Sequence, residues 1–195
     1  GLKNEILLHQ GHETGYAGCY RAAGAKLNIW SEGDEDPQDK LRELIGPQTA
    51  AVAYVFHQWN YCPIPLAGVV EIAHEASVPV IVDAAVMLPP TENLTRYIRD
   101  GADLVTFSGG KGLRGPQSTG ILCGRADLIE AARLNMSPYH SVGRPAKVCK
   151  EEIVGLVAAL QLFVDIDHAA EWAEWRGMTQ SIVEDLDDIP GVDIR

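Results

Sequence analysis

A chain of 195 residues with 46% apolar side chains can bury one sizeable core, and its 27 acidic against 16 basic residues leave a formal charge of −11. That balance argues against a nucleic-acid surface, which needs a basic field. No apolar run approaches the roughly 18 residues of a membrane helix, so a cytoplasmic location is the default expectation.

Residues 4–9 form an apolar run that predicts a strand. The following 14–25 has helical spacing, with Tyr16, Cys19, Tyr20 and Ala23 on one stripe, and 26–30 is the next strand. The acidic stretch 31–39 reads as a solvated loop before a helix that starts near Pro37, its acids serving the helix N-terminus rather than a metal, so no metal site is expected. Residues 48–56 predict a strand buried on both faces, ending on His57. That histidine either lines the substrate side of a crevice or packs, hydrogen-bonded, under a loop. A helix over 66–76 carries His74, expected to be exposed, and a second helix over 92–99 follows Pro89-Pro90. The cysteines at 19, 62, 123 and 149 form no CxxC pair; no zinc site or disulfide framework is indicated, and they are expected to be reduced core or subsurface thiols.

Between these helices lies Val78-Pro-Val-Ile-Val-Asp83-Ala-Ala85, an apolar strand that ends on an acid. After them comes Asp103-Leu-Val-Thr-Phe-Ser-Gly-Gly-Lys-Gly-Leu-Arg-Gly-Pro-Gln-Ser-Thr-Gly120, a strand that enters a glycine-rich loop. Glycines 109, 110, 112 and 115 are expected to supply positive φ and close approach to a ligand. By itself Lys111 could be a surface lysine on a flexible turn. It follows Asp83 by 28 residues, however, which is room for one helix and one strand. In a parallel α/β sheet that spacing brings both side chains to the crevice outside the carboxyl ends of the strands. A carboxylate that can pair with a protonated ring nitrogen, and an amine that can form a Schiff base, are what pyridoxal phosphate (PLP) chemistry requires.

Past the loop, 119–123 predicts a strand, 125–134 a helix and 136–147 a polar loop. Tyr139, His140 and Arg144 in that loop either reach a substrate anion or belong to a solvated linker. Ile153, Leu156, Val157, Leu160, Phe163 and Val164 recur at helical spacing within a helix over 151–176, and read as core packing. The alternation of strands and helices implies an α/β three-layer sandwich with a mostly parallel sheet.

The runs VDAA, FSGGKGLRGPQSTG and VGRPAKVCKEEIVGLVAAL resemble fold-type I PLP enzymes, in the subgroup that includes seryl-tRNA selenium transferase and D-glucosaminate-6-phosphate ammonia lyase. The resemblance covers roughly residues 1–165. It implies Lys111 as the aldimine lysine, Asp83 as partner of the pyridine nitrogen, Ala85 under the ring face, and Ser108, Gly109 and Gly110 around the cofactor. His57, Arg114, His140 and Arg144 are the candidates on the substrate side. The resemblance also implies a homodimer or higher homo-oligomer, and a chain that is a piece of a longer protein. Residues 1–170 would be an N-terminally truncated PLP-binding large domain and 171–195 the beginning of a small C-terminal domain, with the phosphate anchor and the ring-stacking residue upstream of Gly1. One departure is Thr119, which stands where aspartate-aminotransferase-like members have a phosphate-binding arginine.

The reaction expected is α,β-elimination of the ammonia lyase type on a small amino acid or amino sugar acid. Aminotransfer, racemisation and aldol cleavage use the same two residues. A selenium-transferase-like activity is the alternative within the family, disfavoured by charge. A nucleotide-binding module without covalent chemistry is the alternative of another class, weakened because GGKG is not a P-loop and no GxGxxG follows the first strand. No membrane partner is expected.

Overall fold

The computed structural model describes residues 2–57, 59, 61–187 and 189–194. Its centre is a six-stranded sheet in the order β2-β1-β3-β4-β5-β6, built from β1 (Glu5–His9), β2 (Lys26–Trp30), β3 (Thr49–Val55), β4 (Val80–Asp83), β5 (Leu104–Ser108) and β6 (Gly120–Gly124). β1 to β5 are mutually parallel and β6 runs antiparallel to β5. The 109–119 loop between them is too short for the helical crossover that a parallel neighbour would need. This is the mostly parallel α/β sheet that the sequence predicts.

Alternation along the strands divides the interior in two. Leu7, Val52, Tyr54, Val80, Val82, Val105 and Phe107 point into the larger cluster. That cluster is closed by α2 (Pro37–Leu44), α3 (Leu66–Glu75), α4 (Asn93–Arg99) and Phe163 of α6 (Lys150–Asp165). Ile6, Leu8, Ala51 and Ala53 point the other way, where Ala17 and Tyr20 cover them. That second layer is thin. Asp83 pairs in register with Val55 and Thr106, so all three share its face, beyond the cover over β1 and β3.

Three expectations are corrected. The 14–25 segment is not one helix with a buried stripe: Gly15–Ala17 is a 3-10 turn, α1 spans only Gly18–Ala22, and Tyr16 is 71% exposed. The helix expected over 151–176 breaks at Ile166, whose backbone is extended, and α7 (His168–Asp187) leaves at 86° to α6. Asp167 caps the new helix by accepting from the Ala169 and Ala170 N–H groups at 3.1 and 3.0 Å. Of the apolar positions read as core on this helix, Phe163 is buried and Leu156 and Leu160 pack against the cluster, whereas Ile153, Val157 and Val164 are exposed. Cys19 and Cys149 are also exposed rather than subsurface. Among the described residues no single helix is long and apolar enough to cross a membrane.

At the amino ends of the strands one carboxylate fastens three elements. Asp103, just before β5, accepts from the Val80 N–H at 2.8 Å and pairs with His74 of α3 at 2.8 Å and Arg125 at 2.9 Å. These partners hold its carboxyl below the usual range against the opposing effect of burial.

Candidate active site

At the opposite ends of the strands, over the thin layer, is a cleft of about 690 Å³. Asp83, Ala85, Ser108, Lys111 and His57 all line it, so the strand-end logic of the sequence reading brings these five together. Asp83 is the last residue of β4, half-buried, and its Oδ1 accepts from the Ala85 N–H at 3.0 Å. Neither Asp83 nor Lys111 forms an ion pair among the described residues. Gly109 and Gly110, expected around the cofactor, are not among the lining residues, and neither are Arg114, His140 and Arg144.

Arg114 has a structural partner instead. It pairs with Glu171 of α7 at 2.7 Å and lies 5.4 Å from the centre of the Trp175 ring, joining the lysine loop to the last helix. Arg144 donates to the Ser137 hydroxyl at 2.9 Å within its own loop. Thr119 lines the cleft, but its hydroxyl donates to the Pro116 carbonyl at 2.6 Å.

The loop glycines serve close approach rather than positive φ, which none of the four adopts; Arg114 takes it, at 58°. A Cβ on Gly109 would run into the Thr119 hydroxyl, and one on Gly112 into the Leu88 carbonyl oxygen. Gly109 N–H donates to Thr119 at 2.9 Å, Gly115 N–H to Gly109 at 2.8 Å, and the Gln117 amide to the Gly110 carbonyl at 2.8 Å. Lys111 thus stands on a loop folded tightly on itself.

Sequence reasoning missed the aromatic wall. His12, Tyr16, Tyr20 and Phe56 line the cleft, three of them from the segment that follows β1. Burial, and secondarily the neighbouring His9, push the His12 imidazole down to about 4. Its Nδ1 accepts from the Val55 N–H at 3.5 Å, which leaves the proton on Nε2. Tyr20 is raised to about 12, by burial first and then by the Asp83 carboxylate. The signal that could have found these residues was position: they follow a strand end, where a parallel sheet binds ligands.

The profile of the aminotransferase class-V family matches residues 9–195. The chain belongs to that family. A 5'-C-glycyluridine monooxygenase-decarboxylase from a Streptomyces species is 35% identical over 98% of this class-V chain and 48% of its own length. An L-seryl-tRNA(Sec) selenium transferase from Solidesulfovibrio magneticus is 30% identical, over 85% of this chain and 38% of its own. The solved structure of a D-glucosaminate-6-phosphate ammonia-lyase superposes with a TM-score of 0.75 at 28% identity, covering 86% of this chain and 45% of that one. The chain thus spans about half the length of the relatives it matches, and the class-V family as a whole is one of PLP-dependent enzymes.

Proposed function

We propose that this chain holds PLP at the Asp83–Lys111 cleft and serves an enzyme that carries out α,β-elimination on a small amino acid or amino sugar acid: the Cα proton and a Cβ leaving group are lost, and water hydrolyses the resulting imine to an oxo acid and ammonia. The observation that carries the reading is that a carboxylate and a lysine amine, neither in an ion pair among the described residues, line one cleft from the end of β4 and the loop after β5. The donor set fits the cofactor. A carboxylate free of cationic partners suits a protonated ring nitrogen, the small Ala85 leaves room for a flat ring, and the Ser108 hydroxyl has no protein partner among the described residues. When bound, PLP supplies the electron sink that stabilises negative charge at a substrate Cα.

The chain's own residues do the rest. Asp83 fixes a proton at the ring nitrogen by charge. Lys111 gives a covalent anchor, and its amine, when free, is the base for a Cα proton and the acid for a leaving group at Cβ. Leu8, Val55 and Phe56 make the cleft floor apolar, which strengthens the charge pairing above it. His12, neutral and with its proton on Nε2, is a donor rather than a cation in the wall. We assign residues 171–195 to the start of a second, smaller domain, and expect a homo-oligomer.

A second reading is decarboxylation with oxygen uptake, as named for the Streptomyces relative, and it is favoured by that relative's 35% identity over nearly the whole chain. Product analysis on the PLP-loaded enzyme, with amino acids and amino sugar acids as substrates, separates the two. Ammonia release that is abolished in Lys111→Ala supports elimination; carbon dioxide release coupled to oxygen uptake, without elimination, overturns it.

A further inference from the structure

Among the described residues the Lys111 amine makes no hydrogen bond or ion pair within its own loop. An aromatic face stands beside it: Nζ lies 5.5 Å from the centre of the Tyr16 ring, far away in sequence. Both residues line the cleft, and Tyr16 sits on the 3-10 turn Gly15–Ala17, its N–H donating to the Thr14 hydroxyl at 3.2 Å. A side chain 71% exposed is not there to fill the core, and its turn is capped so that the ring stays at the mouth.

We propose that the face of Tyr16 is the resting position of the Lys111 side chain whenever its amine has no covalent partner. This deepens the function proposed above and rests on it for its catalytic meaning. A lysine that alternates between bonded and free needs a place that holds an ammonium loosely. Pairing with Asp83 instead would occupy the carboxylate that the ring nitrogen needs. An aromatic face at an exposed site favours the contact by only about two- to fivefold, enough to bias the arm and weak enough to release it. The observed contacts agree: the amine lies over the Tyr16 ring, and among the described residues Asp83 accepts the local Ala85 N–H and makes no ion pair.

The test uses the PLP-free protein, so its outcome is independent of whether Lys111 carries the cofactor. Limiting acetylation with an N-hydroxysuccinimide ester, followed by peptide mapping, gives the labelling of Lys111 relative to Lys150, whose side chain is 89% exposed and serves as the reference. Tyr16→Leu removes the π face and keeps bulk, and the Lys111 ratio is expected to rise about two- to fivefold. Tyr16→Phe keeps the face and is expected to match the parent. A ratio unchanged or lowered in Tyr16→Leu, or a Tyr16→Phe variant that behaves like Tyr16→Leu, overturns the proposal. Equal thermal melting of the three proteins excludes unfolding as the cause. Should a borohydride-trapped cofactor map to another lysine while the Leu/Phe pattern holds, the resting contact stands and the enzymatic reading falls.

Discussion

Two aspartates flank the β4–β5 pair at opposite ends, and their surroundings differ. Asp103, at the amino ends, is 5% exposed and bonded to Val80, His74 and Arg125. Asp83, at the carboxyl ends, is only half-buried and accepts one backbone N–H from two residues away. The first carboxylate is fully used in tying β4, α3 and Arg125 together. The second contributes little to the fold, yet it stands in a cleft with a lysine and an aromatic wall. A half-buried carboxylate at a strand end with no ion pair among the described residues, beside one tied to three partners, is what supports the proposal that Asp83 serves a ligand.

The comparison can be broken by exchanging effects. Asp83→Ala is expected to lower turnover of the PLP-loaded enzyme by about a hundred- to a thousandfold, the range for losing one charge-stabilising group. Its melting temperature is expected to stay within about 2 °C of the parent, since one part-buried, local hydrogen bond is lost. Steady-state kinetics and calorimetry on the same preparation check both halves. Asp103→Ala should do the reverse. Leaving the Val80 N–H, the His74 ring and the Arg125 guanidinium without their acceptor costs about 3 kcal/mol, or roughly 6–12 °C in a domain of this size, with kcat nearly unchanged.

Acid sharpens the contrast. Asp103 has a depressed folded value, so its stabilisation is present above the usual aspartate range and is lost as pH falls through the folded value. His12 is depressed to about 4, so the unfolded chain gains its proton first; stability begins to fall below about pH 6.5 and the loss is complete below about 4, on the order of 3 kcal/mol in all. His12→Asn keeps an acceptor for the Val55 N–H. Denaturant midpoints measured from pH 7 to 4 should be flatter in that variant than in the parent, whereas an identical slope would remove His12 from the account.

The strands were legible because a sheet buried on both faces needs nearly continuous apolar runs, as in 48–56, and because Asp83 and Lys111 each follow such a run directly. What escaped reading had competing local signals. Tyr16 and Tyr20 have helical spacing, which looks like a packing stripe; Tyr20, on α1, does pack against the second cluster, but Tyr16 sits on the preceding 3-10 turn, exposed at the cleft. Ile166-Asp167 breaks the long helix without any glycine or proline, and only the capping preference of Asp167 hinted at it. Gly109 and Gly112 were rightly singled out but for the wrong physical reason: contact with Thr119 and Leu88 is a tertiary constraint, invisible in a sequence window. Arg114 resembled an anion ligand until the position of Glu171 was known.

The central claim is that Lys111, of all the lysines, is the one that bonds to PLP opposite Asp83. Incubation with PLP, reduction with borohydride and peptide mass mapping test it directly. The account expects the reduced pyridoxyl group on Lys111, with loss of the visible Schiff-base absorption on reduction. Attachment to Lys3, Lys26, Lys40, Lys147 or Lys150 in its place would contradict it.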